Sequence, residues 1–595
     1  MDEVQMETAR IQSPKSYLYT TLATTHLGEI ASCIISILIS NGRLTAREIS
    51  NRTKIPIKNI KSALVSLIQL NCIYYWQEEK DRKFYYSLKE TGLLLFVYSG
   101  DIINHIKRQY GEDEAEIIQN ILIHGHVKIE DYLTQFNHDK SMKIDQENKF
   151  LKLFNDNWLI KLQDYHFHSL DDIWHKIFEE CLKDTPRSSV TSEIKRVAEA
   201  QAKAKVKLNT LLESGTTGGG DIFIEVNGMK KLKPDLVVTF NLSRFQKHLR
   251  TNAFVNMVRS KIGVLTAIVY DAALRYIENK SPPMDYPLLD IPGLINDPKD
   301  VKEYILSIEN KLVNEKKITF SARDIQRLLP KDIDFKNSVI TPTFAKPKRP
   351  LENGSSPTLK KIKLEDGIAS STSTSTSTSS STSSNGTSID LNTLEQHLKL
   401  LLNGTNTAFV NEISPGNYTI PFSHLTNILK QNNFEALVKA TLGDYAFRIL
   451  RCVKSMKLCD EKSICNGALL KEKTVRSELY HLIKANIIEI QEVPRSADRA
   501  ASKTFYLFRH KSNSNFNYLK NCLIYDMAEI LNRIQDFKLE HKILLEKYKL
   551  VEGQEDQYLL DRELKLLNDL QLREIKNLVK FQRIKSLYSL YSLVD

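Results

Sequence analysis

One order of secondary-structure elements recurs along the sequence and leaves few folds open to it. Residues 27–40 predict a helix with apolar side chains at Ile30, Ile34 and Leu38, and Thr45 can cap a short helix that follows. Pro56 suits the first turn of a third helix, and two strands close the unit. The predicted elements are 27–40, 46–52, 56–70, 72–77 and 83–88. A helix-turn-helix followed by a β-hairpin is the winged-helix plan.

The same order returns near the C-terminal end, and two poorer copies lie between. The C-terminal copy has a long basic connection between its strands, and its elements are predicted at 445–456, 460–470, 471–485, 487–493 and 504–508. The second copy is predicted from helices at 115–123, 129–136 and 146–155, with strands that start at Trp158 and return at 222–226 and 236–240. The third is predicted from segments at 255–277, 321–329, 391–402, 408–413 and 418–422.

Two segments of biased composition interrupt these copies. Residues 370–384 are an unbroken Ser/Thr run of 15 residues with no apolar side chain to bury, so we predict disorder across 341–388. Residues 183–231 combine an Ala/Lys-rich stretch, which predicts a solvated helix, with a flexible loop at 218–220.

The last 80 or so residues carry a heptad pattern. Largely apolar residues recur at steps of four and three, with one histidine among them: Leu523, Met527, Ile530, Ile534, Phe537, His541, Leu544, Tyr548 and Val551. After a polar break at 553–556, a second helix offers one face of Leu560, Leu564, Leu567, Ile575 and Leu578. We predict an antiparallel coiled-coil hairpin. The alternative is two ordinary amphipathic helices packed on the rest of the chain.

The predicted fold class is therefore mainly α with small β wings, in tandem extended winged-helix domains followed by a coiled-coil hairpin. The predicted domains are 17–100, 112–250 with the insertion 183–231, 252–340 joined to 389–425 across the insertion 341–388, 440–511, and the hairpin 513–595.

Composition excludes several classes of protein. The formal net charge of +11 over 595 residues permits contact with nucleic acid without demanding it. No apolar run approaches the length that spans a bilayer, and the first ten residues lack the apolar core of a secretory signal. The seven cysteines are scattered and form no CxxC pair, which indicates reduced thiols rather than a disulfide framework or a zinc module.

No set of residues predicts catalysis, a metal site or a cofactor. The glycines at 218–220 lack the Lys-Ser/Thr that completes a phosphate-binding P-loop. His124 and His126 flank a glycine, and His166 and His168 are predicted to share one face of a strand, but neither pair has a third ligand at a fixed spacing. We therefore expect a protein that is not an enzyme.

Basic residues cluster near the third helix and on the wing, the parts of a winged helix that can contact DNA. Lys and Arg contact phosphates without reading sequence, and only Asn59 stands near them as a candidate for base-edge readout. The candidate contacts lie on the third helices of the first and last copies, just before the third helix of the first copy, and on the last wing: Arg52, Lys54, Lys58, Lys61, Lys471, Lys473, Arg476, Arg495, Arg499 and Lys503. The plainer interpretation is a solvated helix face, because winged helices also serve as protein-binding modules.

The predicted disordered segment contains two basic clusters in the form of a bipartite nuclear-import signal. They are separated by ten residues and comprise Lys348, Arg349, Lys360, Lys361 and Lys363. We expect the protein in the nucleus.

Repeated winged helices, a disordered insertion and a helical hairpin resemble one family. The best local match is the last copy, with TVRSELYHLI at 474–483, EVPRSADR at 492–499 and TFYLF at 504–508, and residues 31–70 fit as well. The chain resembles the winged-helix subunit specific to DNA-directed RNA polymerase III, third in that enzyme's nomenclature. That family is related to the large subunit of transcription factor IIE. The Ser/Thr-rich tract looks like the inserts of fungal members.

The resemblance implies a non-catalytic polymerase subunit. Such a subunit would join two other polymerase III-specific subunits in a subcomplex on the clamp of the largest subunit. It would help promoter DNA open at transfer-RNA and 5S ribosomal-RNA genes, with no cofactor, membrane or small-molecule substrate.

Three alternatives stay open from the residues themselves. One is an unrecognised enzyme, which would need a concave pocket with convergent titratable groups. A sequence-specific DNA-binding regulator would need recognition helices rich in Arg, Asn and Gln, which these helices lack. A protein-only scaffold with winged-helix and coiled-coil modules would bind no DNA.

Overall fold

The described part of the chain is mostly helical, with five small sheets. The computed structural model describes residues 13–78, 82–136, 140–185, 193–216, 222–226, 229–295, 297–330, 333, 335, 338–339, 390–403, 407–494, 504–551 and 559–593. The chain divides into a larger body, 1–257 with 277–319 and 420–595, and a smaller body, 258–276 with 320–419. No helix within the described residues is both long and apolar enough to cross a membrane.

The first winged-helix module follows an N-terminal helix that was not predicted. Gly28, with φ +89°, separates α1 (Pro14–Leu27) from the first helix of the module, which begins at Glu29, two residues after the predicted start. The module consists of α2 (Glu29–Asn41), β1 (Leu44–Thr45), α3 (Ala46–Thr53), α4 (Ile57–Gln69), β2 (Ile73–Gln77) and β3 (Phe84–Leu88). Ile34, Ile49 and Ile60 are completely buried between the three helices.

The predicted cap at Thr45 is confirmed as a full capping box. Its hydroxyl accepts from the Glu48 backbone N–H at 3.4 Å, and the Glu48 carboxylate accepts from the Thr45 N–H at 2.8 Å. Replacing Thr45 with alanine removes one of these two bonds and leaves an amide of α3 without its partner. We expect the Thr45→Ala change to lower the free energy of unfolding by about 1 kcal/mol. Urea unfolding followed by tryptophan fluorescence measures it, and Thr24→Ala on α1 is the exposed-threonine control.

The second module carries its insertion between its last two strands. It consists of α5 (Glu90–Gln109) as a lead-in, then α6 (Glu112–His124), β4 (Val127–Lys128), α7 (Ile129–Leu133), α8 (Lys140–Asn155), β5 (Leu159–Lys161) and, after the insertion, β8 (Val237–Phe240). The insertion holds a 3-10 turn (Asp164–Phe167), α9 (Leu170–Asp184), α10 (Glu193–Thr216), β6 (Phe223–Val226) and β7 (Met229–Leu232).

Three predictions in this region were wrong in part. The returning strand at 236–240 is correct, but residues 223–226 instead pair with β7 in a separate hairpin. The Ala/Lys-rich helix is not solvated all round, because Ala200, Ala204 and Leu208 are completely buried in a cluster with α9. The predicted strand at His166 and His168 does not form: His166 lies in the 3-10 turn Asp164–Phe167, and His168 follows that turn.

The smaller body contains the third module. It follows α11 (Leu242–Lys261), and the predicted single segment at 255–277 is broken at Gly263, with φ +148°. The module consists of α12 (Val264–Ile277), β9 (Thr319–Ser321), α15 (Ala322–Leu328), α16 (Leu391–Asn403), β10 (Asn411–Ser414) and β11 (Asn417–Thr419). Two helices of the larger body lie between α12 and β9 in sequence, the short α13 (Pro287–Asp290) and the 17-residue α14 (Pro298–Asn314). The completely buried Tyr270 and the buried Thr266, which bonds His397 at 3.0 Å, belong to its core.

The fourth module follows α17 (Phe422–Leu442) and matches its predicted elements within about two residues. It consists of α18 (Asp444–Met456), β12 (Leu458–Cys459), α19 (Glu461–Ala468), α20 (Glu472–Lys484), β13 (Ile488–Pro494) and β14 (Thr504–His510). In all four modules the last strand is central in its sheet, with the orders β1-β3-β2, β4-β8-β5, β10-β11-β9 and β12-β14-β13. The shared strand order confirms the predicted class of tandem winged helices.

Two long antiparallel helical segments end the chain. They are α21 (Ser512–Glu540), continued by α22 (Lys542–Leu550), and α23 (Asp561–Tyr591). Their direction is fixed by the ion pairs Lys538–Glu574 at 2.6 Å and Lys547–Glu563 at 2.8 Å. The predicted break at 553–556 lies outside the described residues. The supercoil of a true coiled coil and the predicted domain boundaries stay predictions.

The predicted apolar face of the hairpin is confirmed for the first helix and is wrong in part for the second. The predicted residues Leu523, Met527, Ile534, Phe537 and Leu544 are buried. The buried leucines of α23 are Leu567, Leu570 and Leu590. Of the predicted second face, Leu560, Ile575 and Leu578 are 71%, 57% and 45% exposed. The N-terminal α1 packs against α21, where the rings of Tyr17 and Tyr525 lie 5.5 Å apart. This contact was not predicted.

Candidate nucleic-acid interface

The first basic cluster lies on the exposed side of module 1. Arg52 lies in the last turn of α3, Lys54 is the C-cap residue of that helix with φ 59°, and Lys58 and Lys61 follow on α4. Ile60 and Leu64 point into the core, so their charged neighbours Lys58 and Lys61, three residues apart, share the outer surface. All four basic side chains are exposed. The structure therefore brings together the four predicted contacts of module 1.

A groove runs beside this cluster between α2 and α4. It holds about 320 Å³ and is lined by Asn59, Ser62 and Ser66 together with apolar residues that include Ile30. Asn59, the predicted candidate for base readout, is exposed there. Arg52 donates to the Asn41 side-chain oxygen, a neutral partner that leaves the guanidinium charge in place.

The second cluster is weaker than the sequence indicated. Lys471 is the N-cap residue of α20, and Lys473 is exposed on its first turn. Arg476 is paired with the Glu461 carboxylate and lies 3.6 Å from that of Glu472. Its charge is therefore largely compensated, which lowers its value as a phosphate contact.

The wing of module 4 is longer than that of module 1. Strands β13 and β14 pair over seven residues, from Ile488 opposite His510 to Pro494 opposite Thr504, whereas β2 and β3 pair over five. The predicted wing contacts Arg495, Arg499 and Lys503 lie outside the described residues, as do the import residues Lys348, Arg349, Lys360, Lys361 and Lys363. Phe505 and Tyr506 are 47% and 45% exposed on β14, and sequence reasoning treated them only as strand residues.

The paired histidines tie the insertion to module 1. His166 Nδ1 accepts from the Gln163 backbone N–H at 3.0 Å, and its carbonyl oxygen accepts from the buried Lys89 ammonium at 2.6 Å. His168 Nδ1 lies 2.7 Å from the Tyr75 carbonyl oxygen. Both rings thus have structural partners. No group of three or more metal-ligating side chains occurs in the part of the chain that the structure describes.

His166 makes the larger body sensitive to acid. Burial, and then the Lys89 charge, lower the pKa of His166 to about 4, from an ordinary value near 6.5. Between these two values the unfolded chain binds a proton that the folded chain does not, so stability falls as the pH drops from about 6.5 towards 4. His166→Gln should flatten this part of the pH profile. Urea midpoints at several pH values measure it, and an unchanged slope would contradict the assignment.

Four modules with one strand order, two of them with exposed basic residues on the third helix, define a tandem winged-helix protein. The family description RNA polymerase III subunit RPC82 matches residues 148–429, and its helix-turn-helix domain matches 17–78. The C-terminal winged-helix domain of POLR3C matches 434–510.

Relatives match over the full length. The protein named DNA-directed RNA polymerase III subunit RPC3 of Scheffersomyces stipitis is 54% identical, with 98% of this chain and 99% of that protein covered. The Lodderomyces elongisporus protein of the same name is 53% identical with 100% of both chains covered, and the Saccharomyces cerevisiae protein is 34% identical with 98% and 94% covered. The chain belongs to the RNA polymerase III subunit RPC3 family, which confirms the resemblance drawn from the sequence.

Proposed function

We propose that the chain is a non-catalytic subunit of DNA-directed RNA polymerase III in the nucleus. The observation that carries this proposal is the 54% identity over 98% of the chain to a protein named as that subunit. The four winged-helix modules support a role in binding, because this fold presents its third helix and its wing to a partner. Nucleotide addition would take place in other chains of the enzyme.

The finer proposal concerns initiation. The subunit joins two other polymerase III-specific subunits in a subcomplex on the clamp of the largest subunit and supports promoter opening at transfer-RNA and 5S ribosomal-RNA genes. Several modules on one chain suit this role, because they present many separate faces to partners and to DNA. The contact with promoter DNA is independent of sequence, through Arg52, Lys54, Lys58 and Lys61, with Lys471 and Lys473 as a second site.

Affinity purification of the tagged protein from its own cells tests the assignment. We expect the largest polymerase III subunits and two smaller specific subunits in near-equal amounts by mass spectrometry. Recovery of the protein alone, or with an unrelated assembly, would contradict it. In the purified complex, loss of promoter opening on a linear template but not on a pre-melted one, after depletion of this subunit, would support the initiation role.

Removing two charges from module 1 should weaken DNA binding without changing its sequence preference. Each phosphate contact contributes about 0.9 to the slope of log affinity against log salt concentration, so Lys58→Gln with Lys61→Gln should reduce the slope by about 2. Fluorescence anisotropy with two duplexes of unrelated sequence measures it. The matched control is Lys176→Gln with Lys576→Gln, which removes the same charge from exposed positions on α9 and α23. A slope equal to that of the control would exclude this surface, and a preference for one duplex would favour the sequence-specific regulator.

The nuclear location has its own test. Replacing Lys348, Arg349, Lys360, Lys361 and Lys363 with alanine in a fluorescent fusion should shift the protein towards the cytoplasm. An unchanged nuclear signal would show that import depends on another segment or on a partner chain.

A further inference from the structure

A basic cleft lies at the base of module 4, apart from its third helix and wing. It holds about 570 Å³ in the larger body. Residues from α14, α17, α18, β14 and α21 line it: Lys302, Gln431, Val453, Lys454, Lys457, Arg509, His510, Lys511 and Ser514. Arg509 and Lys511 lie at the opposite end of β14 from the wing, about 20 Å away along a strand of this length. The predicted DNA contacts of module 4 therefore do not include this cleft.

The cleft carries a surplus of positive charge. Five of its side chains are cationic, and two nearby carboxylates compensate them in part. Glu489 contacts Arg509 at 3.0 Å and Lys511 at 2.6 Å, and Glu435 contacts Lys454 at 2.7 Å. Lys302 and Lys457 are exposed. Lys457 is held at the mouth of the cleft by its backbone, with φ 65° at the end of α18. A site with this surplus attracts anionic groups.

The size and the lining of the cleft indicate which anionic partner fits it: a nucleic-acid duplex, a single strand or an acidic peptide. Its volume is that of a small-ligand site, whereas recognition of a duplex takes a surface of about 1,000 Å² or more. A single strand gains much of its affinity from bases stacked on aromatic side chains. Among the described residues that line the cleft there is no Phe, Tyr or Trp, and His510 is already engaged by the Ile487 carbonyl oxygen at 3.0 Å.

The walls already bind carboxylates in good geometry. Glu489 bridges an arginine and a lysine with its two oxygens, which is how a glutamate or aspartate from another chain would meet Lys302 and Lys457. Val453 and the methylene stems of the lysines give an extended peptide an apolar wall to lie against.

We propose that this cleft binds a short acidic segment of a partner protein through its Glu and Asp side chains. The inference deepens the proposed function and rests on it, since a subunit of a larger assembly has partner chains to supply such a segment. The affinity of one segment is low, and within an assembly the effective concentration raises its occupancy.

Fluorescence anisotropy on the full-length protein tests this inference. The probe is a labelled polyglutamate peptide of about eight residues, at about 50 mM salt so that screening is weak. A labelled single strand and a labelled duplex are the comparison probes. The cleft variant is Lys302→Gln with Lys457→Gln, which keeps the stems and removes two exposed charges. Lys176→Gln with Lys576→Gln is the control of equal charge, and thermal unfolding verifies that both variants fold.

We expect the cleft variant to bind the peptide about fivefold more weakly, while the control stays within about twofold and both DNA probes bind both variants alike. Absence of peptide binding to the wild type, or equal loss in both variants, would overturn the proposal. A loss for either DNA probe in the cleft variant would assign the cleft to nucleic acid instead. If the tagged protein co-purifies with polymerase III and the peptide does not bind, only the cleft assignment fails.

Discussion

Replacing Glu278 with alanine is expected to lower the free energy of unfolding of the larger body by about 3–5 kcal/mol. Glu278 Oε2 lies 2.9 Å from Arg244 Nη2, and the two side chains are only 6% and 8% exposed. Removing the carboxylate leaves the guanidinium charge buried without its counter-charge, and burial of an unpaired charge is far more costly than the loss of an exposed ion pair.

Arg244 cannot escape to solvent in this variant, because two further contacts hold it. Its Nε donates to the Asp156 carbonyl oxygen at 3.2 Å, and its guanidinium lies 4.6 Å from the centre of the Trp158 ring. The ion pair therefore joins α11 to module 2 and to the turn after α12. Loss of this ion pair should therefore disturb α11, module 2 and the turn after α12 together.

Tryptophan fluorescence during urea unfolding measures this change, since Trp76, Trp158 and Trp174 all belong to the larger body. Glu199→Ala is the matched control: it removes a carboxylate 2.8 Å from Lys203 on α10, where both side chains are about half exposed. It should cost less than about 1 kcal/mol. The double change Arg244→Met with Glu278→Leu should recover part of the loss, because it buries no charge. A single Glu278→Ala variant as stable as the control would contradict the argument.

The elements with strong local signals could be predicted from the sequence. Thr45 marked the start of a capped helix, and the spacing of apolar residues in modules 1 and 4 predicted their helices and strands to within about two residues. The heptad seam on α21 was visible for the same reason. The exposed basic cluster of module 1 could be predicted in the same way, because Lys58 and Lys61 share a helical face opposite the buried Ile60 and Leu64.

The errors arose where tertiary contacts outweigh local patterns. Ile575 and Leu578 have the spacing of a seam, but the partner helix leaves them exposed. Residues 223–226 have the composition of a returning strand, yet the neighbouring β7 is the nearer partner. The cleft at the base of module 4 could not be predicted at all, because Lys302 and Arg509 are more than two hundred residues apart and only the fold brings them together.

Gly125, the glycine between His124 and His126, has a larger role in the structure than its place in the sequence indicates. It ends α6 with φ +80°, and a Cβ built on it would lie 2.1 Å from the Gln69 carbonyl oxygen and 2.9 Å from the Leu70 Cα. The end of α6 thus packs directly on the backbone that ends α4. A Cβ built on Gly92, on α5, would likewise lie 2.1 Å from the Asn71 carbonyl oxygen. Modules 1 and 2 are therefore joined through backbone contacts that only glycine permits.

Gly125→Ala should consequently destabilise the larger body by about 4 kcal/mol, of which about half is backbone strain at positive φ and the rest is displacement of the Gln69 backbone. Gly28→Ala separates the two contributions. Its φ of +89° imposes a similar strain of about 2 kcal/mol, but nothing lies within 4 Å of the added Cβ. Urea unfolding of both variants, read by tryptophan fluorescence, gives the difference. If the two changes cost the same, the close approach of modules 1 and 2 at Gly125 is not rigid, and the joint between them yields to a single methyl group.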